Sequence, residues 1–297
     1  MIAVVGSCNV DFVIPVAALP APGETVLGGD HLRTPGGKGA NQSVAAARLG
    51  SPVAFVGCVG DDELAATITG ALSGSGVDLS WLRRVPAASS GIALITVAEG
   101  GENTIAVSPG ANARLGVADI SGAADLLSGA AVTLVQLEIA PEVVSAAVSA
   151  AGGQVVLNPA PARALPAGLL SEVDVLVPNR SELGFLTGNP EPTTIGEAAV
   201  QARSLPVPAA VVTLGSDGAL VVQNGQTMHV PAIEVAAVDA TGAGDAFCGA
   251  LADGLARGRS LVDAAHWAVR VAGISTTRWG AQSGMPTRDQ AKRTPMP

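Results

Sequence analysis

Short apolar runs alternate along this chain with alanine-rich stretches, and this alternation constrains the fold more than any other feature. The first run, residues 2–5, stops at a glycine, as expected for a buried parallel strand. Stretches of helical spacing, such as 41–49 and 141–151, end at glycines. Strands alternating with helices predict a doubly wound, mostly parallel α/β sheet flanked by helices. The later candidate strands are residues 53–56, 132–135, 155–157, 173–177 and 210–214.

The length and the composition fit one such domain. A chain of 297 residues, 48% of them hydrophobic, is long enough to bury a sizeable core. No stretch has the composition of a linker, so we expect residues 1–297 to form a single domain. The last residues, 281–297, are polar and contain prolines, and we expect them to run over the surface.

Two segments interrupt the alternation. Residues 11–33 are rich in proline and glycine, and residues 92–107 contain two apolar runs around Glu-Gly-Gly-Glu at 99–102, which predicts a β-hairpin. We expect segments of about 11–35 and 90–108 to form a small β-sheet lid over the strand ends of the main sheet. Because exposed strands invite pairing, the lid also predicts a homodimer.

The charge and the cysteine pattern exclude several classes of partner. The net charge is −9 and only two lysines are present, so we expect no nucleic-acid partner and no anionic membrane surface. The most apolar late segment, residues 261–274, is interrupted by charged residues, so no membrane span is expected. The N-terminal residues lack a signal-peptide pattern, and the three cysteines are widely spaced. These features predict a cytoplasmic protein with reduced thiols.

The strongest signal for chemistry is a glycine-rich turn, residues 238–244, that leads into an apolar helix reaching about residue 255. Backbone N–H groups at such a helix start can bind an anion. Asp245 is then placed to accept a proton from a hydroxyl that attacks a phosphoryl group, and the helix dipole is expected to keep its carboxylate ionised. The alternative is that Asp245 only caps the helix. Asp239, before the same turn, adds more charge than a cap needs.

A second glycine-rich segment, residues 35–42, surrounds Lys38 and is followed by a helix. It does not match the Walker A pattern. Its glycines would let the backbone approach a polyol, while Asn41 could supply hydrogen bonds and Lys38 could contact a sugar or a phosphate. A flexible turn with a solvated lysine is the alternative.

Polar residues follow several candidate strands. Asn9 and Asp11 follow the first strand and Glu138 follows the strand at 132–135, where a sugar could find hydrogen-bond acceptors. A capping aspartate and a surface glutamate are the alternatives. Asn179 and Glu182 lie where a helix begins and could orient waters around Mg²⁺, although Asn179 or Ser181 could equally be a helix cap. Residues 213–218 form a small-residue loop that could admit a nucleotide, or a plain hairpin turn.

Seven short motifs follow one another along the chain. They are residues 6–11 (Gly-Ser-Cys-Asn-Val-Asp), 22–25 (Pro-Gly-Glu-Thr), 36–42 (Gly-Gly-Lys-Gly-Ala-Asn-Gln), 60–62 (Gly-Asp-Asp), 136–138 (Gln-Leu-Glu), 157–163 (Leu-Asn-Pro-Ala-Pro-Ala-Arg) and 238–247. Taken in chain order, these motifs resemble the ribokinase/PfkB family of carbohydrate kinases over nearly the whole chain. The resemblance implies ATP-dependent phosphorylation of ribose at its O5 hydroxyl.

The resemblance also implies a role for each matching residue. Asp245 would be the base. The anion hole would be formed by Gly242, Ala243 and Gly244. The sugar would be held by Asn9, Asp11, Gly37, Lys38, Gly39, Ala40, Asn41, Glu138 and Asp245. The nucleotide would contact Asn179, Thr213, Leu214, Gly215, Ser216, Asp217, Gly218, Gly244 and Val269.

Metal ions complete the implied site. Glu182 would bind Mg²⁺ through water. An activating monovalent cation, usually K⁺, would lie against Asp239, Thr241, Ser275, Arg278, Gly280 and Gly284, mostly through backbone carbonyls. The position of Gly284 often carries serine in the family, so a side-chain ligand is expected to be missing. Val269 stands where the family tends to have a polar residue, so packing is expected to recognise adenine there.

Two other functions remain open. A kinase of the same family could act on deoxyribose, fructose, a keto-sugar acid or a nucleoside, although Phe12 is the only aromatic side chain of the lid segments available to a nucleobase. A sugar-sensing protein that keeps the fold without catalysis is the second. It would be favoured by loss of Asp245 or the glycines, and neither is lost.

Overall fold

The computed structural model describes residues 1–293 of the chain. Its strands are β1 (Ile2–Val5), β2 (Asn9–Val16), β3 (Leu32–Gly36), β4 (Val53–Gly60), β5 (Val77–Val85), β6 (Gly91–Ala98), β7 (Asn103–Ser108), β8 (Val132–Gln136), β9 (Gln154–Asn158), β10 (Val175–Leu176), β11 (Ala209–Thr213), β12 (Ala219–Gln223) and β13 (Gln226–Val230). Its α-helices are α1 (Lys38–Arg48), α2 (Glu63–Gly74), α3 (Val117–Gly122), α4 (Ala124–Gly129), α5 (Pro141–Ala150), α6 (Arg180–Thr187), α7 (Ile195–Ser204), α8 (Ala243–Ala256), α9 (Leu261–Ser275), α10 (Ala281–Gly284) and α11 (Arg288–Arg293).

Within residues 1–293, nine strands form the main sheet in the order β13-β12-β11-β10-β9-β8-β1-β4-β5. All neighbours from β11 to β5 pair in parallel, while β12 and β13 extend the edge as antiparallel strands. Helices cover both faces, so β1 is buried at every residue and reads as a continuous apolar run. The predicted doubly wound α/β fold is confirmed.

The two faces of the sheet hold separate cores. Ile2 and Val4 point into a cluster built with α1, α2, α8, α9 and α11. Ala3 and Val5 point the other way, into a cluster built with α3 to α7. The alternation follows from the two-residue period of a strand, and it places α1 and α8 side by side on one face.

A second, smaller sheet, hereafter the small sheet, has the order β3-β2-β6-β7. Its strands come from the two segments that interrupt the alternation, and β6 and β7 form the predicted hairpin. The β2 strand begins at Asn9, two residues before the predicted segment, and β3 ends at Gly36. Its action as a lid stays a prediction.

Three local predictions were wrong in extent. The run 173–177 contributes only the two-residue strand β10, and next to it the side chain of Asp174 accepts a hydrogen bond from the backbone N–H of Val155. The helix predicted from residue 41 begins at Lys38, directly after Gly37. Residues 281–293 contain α10 and α11, and both Met285, which lies between these helices, and Ala291 of α11 are buried. Residues 294–297 lie outside the described residues.

No helix within residues 1–293 is long and apolar enough to cross a membrane.

Candidate active site

The loops after β1 and β8 meet the start of α1. Glu138, two residues beyond β8, accepts hydrogen bonds from the Ser7 hydroxyl at 2.5 Å and from the backbone N–H of Lys38 at 3.1 Å. Because β1 and β8 are neighbouring parallel strands, their carboxyl ends share one edge of the sheet. The strand ends and the lysine-containing segment, which were separate signals in the sequence, therefore form one site.

Asp245 is the third residue of α8 and is buried. Its carboxylate accepts hydrogen bonds from the side chain of Asn41 to Oδ2 and from the side chain of Gln42 to Oδ1, both at 2.9 Å. The N-cap of α8 is Gly242, and no side-chain cap hydrogen bond is formed there. Asp245 therefore faces α1, and the alternative that it merely caps its own helix does not hold.

Burial raises the pKa of the Asp245 carboxyl above its ordinary value, while Lys38 and the amides of Asn41 and Gln42 act in the opposite direction. The expectation from the helix dipole considered only the end of the helix. The neighbouring helix α1 removes the carboxylate from water, and this desolvation outweighs the groups that favour the charged form. The ionisation of Asp245 thus depends on the donors that surround it.

Lys38 is part of the same charged group. Burial lowers its pKa, but Asp245, Glu138 and Glu182 together raise it above the ordinary value of a lysine. Its ammonium group therefore stays charged at neutral pH. The alternative of a solvated lysine in a flexible turn is wrong, because Lys38 is the first residue of α1 and is part-buried among carboxylates.

Asp11 adds another carboxyl group. Burial, together with the charges of Glu138 and Asp245, raises the pKa of Asp11 to about 7. A Cβ atom at Gly36, the cross-strand partner of Asn9, would overlap the Asp11 carboxyl group and force it to move. The small sheet thus brings Asp11 next to the charges on α1 and α8.

Asn112 is a residue that sequence reasoning missed. Its side chain is buried, exchanges two hydrogen bonds with the backbone of Cys8, and donates a third to Asn9 Oδ1 at 2.8 Å. Asn9 therefore has its side-chain oxygen occupied and its N–H₂ group left to donate. The Gly-Ala-Asn sequence at 110–112 was a visible signal, but only the fold brings it to β2.

The amides around Asp245 were also missed as a group. Gln42 and Asn158 fell inside motifs that carry the family resemblance, yet no role was predicted for either. Gln42 connects Asp245 to Gln136 and Asn158, and Gln282 donates to Asn41 Oδ1 at 3.0 Å. Sequence spacing offers no sign of this network, because its members come from α1, β8, β9 and α10.

The turn before α8 is tighter than predicted. Ala243 donates its N–H to the Ala240 carbonyl at 3.1 Å, and Gly242 has the positive φ of 74° that the third position of a type II turn requires. The N–H of Ala243 therefore closes the turn in this structure, and its place in the anion hole stays a prediction. In the described residues, no backbone carbonyl accepts the N–H of Gly244, which remains at the helix start.

Asn179 and Glu182 form a capping box at the start of α6. Asn179 Oδ1 accepts from the Glu182 N–H at 2.7 Å, and Glu182 Oε2 accepts from the Asn179 N–H at 2.9 Å. The helix-cap alternative is thus correct for Asn179 and not for Ser181. Glu182 is nevertheless buried, and burial raises its pKa. One β-bridge places Asn179 beside Thr213.

Residues 213–218 connect β11 to its antiparallel partner β12, as the hairpin alternative predicted. Gly215–Asp217 forms a short 3₁₀ turn, and Asp217 forms an ion pair with Arg180 at 2.7 Å. Across this edge, Val269 of α9 is buried and lines a cavity of about 710 Å³ together with Val230 and Ile233. Of the residues predicted to contact the nucleotide, only Val269 lines this cavity.

Asp239 joins the turn before α8 to the loop after α9. Its carboxylate accepts from the N–H groups of Thr241 at 2.8 Å and Gly280 at 2.7 Å. Burial raises the pKa of Asp239, but these hydrogen bonds lower it by more, so that the pKa lies below its ordinary value. The carbonyl oxygens of Ser275 and Arg278 lie 2.6 and 3.4 Å from where a Cβ of residue 284 would stand. A side chain at Gly284 would therefore crowd these oxygens.

The chain resembles known carbohydrate kinases along almost its entire length. Residues 1–288 match the family described as pfkB family carbohydrate kinase. A ribokinase of Bacillus subtilis is 38% identical, with 98% of each chain covered, and a deoxyribokinase of Salmonella typhi is 39% identical, with 97% of this chain and 96% of the relative covered. A crystal structure of ribokinase from Thermotoga maritima superposes with a TM-score of 0.90 at 35% identity, covering 98% and 97% of the two chains.

The fold and the site therefore define a phosphotransferase that acts on a carbohydrate hydroxyl. The chain belongs to the pfkB family of carbohydrate kinases.

Proposed function

We propose that the protein transfers the γ-phosphoryl group of ATP to the O5 hydroxyl of D-ribose, giving ribose 5-phosphate and ADP. The observation that carries this proposal is the buried carboxylate of Asp245, held at the start of α8 by two amides of α1. The similarity to ribokinases supports ribose as the acceptor, and a ribokinase structure from Arabidopsis thaliana, described as complexed with ribose and ATP, has a TM-score of 0.88 with this chain. A cytoplasmic site of action is part of this proposal.

The sugar would be bound between the small sheet and α1. Asn9, with its oxygen held by Asn112, would donate to one hydroxyl, and the carboxylates of Asp11 and Glu138 would accept from others. The backbone of residues 37–41, which can approach closely because it is rich in glycine, would pack against the sugar ring. Asp245 would accept the proton of the attacking hydroxyl, late in a transition state that mainly requires positioning.

The transferred phosphoryl group would face cationic and N–H donors. Lys38 keeps its charge beside Asp245, and the N–H of Gly244 points from the start of α8. The nucleotide would lie along residues 213–218, with Asn179 at one end and Val269 at the adenine end. Glu182, a buried carboxylate on this side, is suited to hold Mg²⁺ through water, and the ion would neutralise phosphate charge. Within residues 1–293, no cluster of acidic, histidine or cysteine side chains is arranged to bind a metal directly.

A monovalent cation would bind behind the turn before α8. The carbonyl oxygens of Ser275 and Arg278 converge near Gly284, and the Asp239 carboxylate holds Thr241 and Gly280 at the same place. Oxygen donors of this kind suit K⁺. The site would need no side-chain ligand from residue 284, because the two backbone oxygens already approach that position.

A homodimer would form through the small sheet. Val13, Ile95 and Ile105 are cross-strand neighbours on the face that carries Asp11, and Leu32 lies beside Val13. Leu32 is 61% exposed and Ile105 57% exposed in the single chain. An apolar face of this kind next to a substrate site is best explained by a second copy of the chain that covers it.

Deoxyribose is the second candidate acceptor, because the similarity to a deoxyribokinase is as high as the similarity to ribokinases. A panel of ribose, deoxyribose, fructose and adenosine with ATP and Mg²⁺, read by coupled ADP release, separates the candidates. We expect the highest kcat/KM with ribose and a faster reaction in K⁺ than in Na⁺. Higher kcat/KM with deoxyribose would assign the second candidate, and no ADP release with any acceptor would favour a sugar-sensing protein.

Asp245→Asn tests the base directly. We expect kcat to fall by roughly 10²- to 10⁴-fold, because the amide cannot accept the hydroxyl proton, while the circular dichroism spectrum stays that of the wild type. A variant with near-normal turnover would remove Asp245 from this role.

A further inference from the structure

The side chain of Gln42 contacts Asp245 and is itself fully buried. Its Nε2 atom donates to Asp245 Oδ1 at 2.9 Å and to Asn158 Oδ1 at 3.1 Å, and its Oε1 atom accepts from Gln136 Nε2 at 2.6 Å. Both N–H bonds and the carbonyl of this amide are thus occupied at once.

A backbone carbonyl fixes the orientation of the whole chain of amides. Asn158 Nδ2 donates to the Val177 carbonyl at 2.9 Å, and a carbonyl can only accept. Asn158 must therefore turn Oδ1 toward Gln42. Gln42 then donates from Nε2 to this oxygen, and its Oε1 atom is free to accept from Gln136. Gln136 and Asn158 are register partners at the carboxyl ends of β8 and β9, so the anchor belongs to the rigid main sheet.

The second oxygen of Asp245 is held in the same way. Gln282 of α10 donates to Asn41 Oδ1 at 3.0 Å, which turns Asn41 Nδ2 toward Asp245 Oδ2. Each carboxylate oxygen therefore faces an amide donor whose orientation is set by a further residue. Without these bonds the carboxylate could rotate, and a protonated form could donate to an amide oxygen instead.

We propose that Gln42 is a positioning residue that holds the Asp245 carboxylate in the orientation and charge state in which it accepts a proton, with Gln136 and Asn158 holding Gln42. The proposal rests on the proposed function, because it requires Asp245 to be the base. It extends the catalytic machinery to the carboxyl ends of β8 and β9, where Gln136 and Asn158 bond Gln42.

Removal of the Gln42 amide takes one hydrogen-bond donor away from Asp245. Burial already raises the pKa of Asp245, and the Gln42 hydrogen bond is among the groups that oppose the rise. Loss of this donor therefore raises the pKa further, and the base becomes protonated at a higher pH. The other ionisable groups that influence Asp245, all unchanged by the substitution, are Asp11, Lys38, Glu138, Glu182 and Cys248.

The test is the pH dependence of ribose-dependent ADP release by Gln42→Met and Gln136→Met, two substitutions of similar volume. For Gln42→Met we expect kcat at pH 7 to fall about tenfold and the acid limb of the kcat profile to move up by about one pH unit. KM for ATP should stay within about twofold of the wild-type value. For Gln136→Met, which never touches Asp245, we expect a smaller shift in the same direction.

Gln226→Met, on the exposed edge strand β13, is the matched control and should leave the profile unchanged. Profiles of Gln42→Met and Gln136→Met that superimpose on the wild-type acid limb would overturn the proposal, even if kcat falls uniformly, since a uniform fall is the mark of a structural role. If Gln42→Met does not fold, the Gln136→Met profile decides alone. An inactive wild type, or an active Asp245→Asn, would instead overturn the proposed function and this inference with it.

Discussion

At the scale of single residues, the site holds several carboxyl groups close enough to repel one another when they are ionised. The carboxylates of Asp11, Glu138 and Asp245 act on one another, and Lys38 is the cation that partly compensates them. Burial and the neighbouring carboxylates disfavour the ionised form of Asp11, and its pKa therefore rises to about 7. A folded protein tolerates such a group when it serves binding, at the expense of stability.

Asp11→Asn should therefore stabilise the protein at alkaline pH. A raised folded-state pKa means that the favourable contribution of Asp11 is present at low pH and is lost as the pH rises through about 7. We expect the variant to have a higher free energy of unfolding than the wild type at pH 8, and this difference to be smaller by about 3 kcal/mol at pH 5. KM for ribose should rise. Thermal unfolding across this pH range, with the exposed Asp30→Asn as control, checks it; a difference independent of pH would contradict it.

Asn112→Asp should weaken sugar binding without direct contact with the sugar. The substitution replaces the N–H₂ group that donates to Asn9 Oδ1 with an oxygen, so Asn9 is no longer held with its N–H₂ group toward the substrate. We expect KM for ribose to rise about tenfold and KM for ATP to stay nearly constant. Initial rates with either substrate varied separate the two, and Asn103→Asp on the exposed strand β7 is the control. Equal changes in both KM values would indicate a general structural defect.

At the scale of elements, a buried carboxylate joins three helices and a loop. Asp253 of α8 is fully buried and accepts from Arg257, Arg288 of α11, Trp267 of α9 and Ser51. The guanidinium group of Arg288 also lies over the Trp267 ring. These contacts fasten the C-terminal helix, which explains why residues 281–293 do not run loosely over the surface.

Asp253→Asn should destabilise the protein by about 3 kcal/mol. Two arginines would lose the carboxylate with which they form ion pairs, and the Asn amide cannot accept from the same four donor residues. Urea unfolding at pH 7 measures the change. The exposed Glu234→Gln is the control and should stay within about 0.5 kcal/mol of the wild type. A loss below about 1 kcal/mol would mean that the network contributes little beyond packing.

At the scale of the whole molecule, the small sheet presents two different faces. One carries Asp11 with Val13, Ile95 and Ile105, and the other carries Phe12 and Leu94. Arg33, opposite Phe12, bonds Thr67 of α2, so the second face is partly covered by the main body. Only the first face combines exposed apolar residues with Asp11, which we propose to bind the sugar.

Light scattering at micromolar concentration should therefore give the mass of a dimer for the wild type and of a monomer for Ile105→Glu, because a charge in an apolar interface is costly to bury. Leu94→Glu, which is 53% exposed on the opposite face, is the matched control and should remain dimeric. A monomeric wild type, or a dimer that survives Ile105→Glu, would count against this interface.

The amino-acid sequence by itself was enough to predict the doubly wound fold and to single out Asp245 as the central residue of the candidate site. Continuous apolar runs such as residues 2–5 occur where helices cover both faces of a sheet, and Asp245 follows a glycine turn whose geometry is local. Only the tertiary structure decided what surrounds Asp245. Its donors lie on α1, and their own anchors lie at the ends of β8 and β9 and on α10. Burial, which raises its pKa against the helix dipole, is a property of packed elements and has no local signature in the sequence.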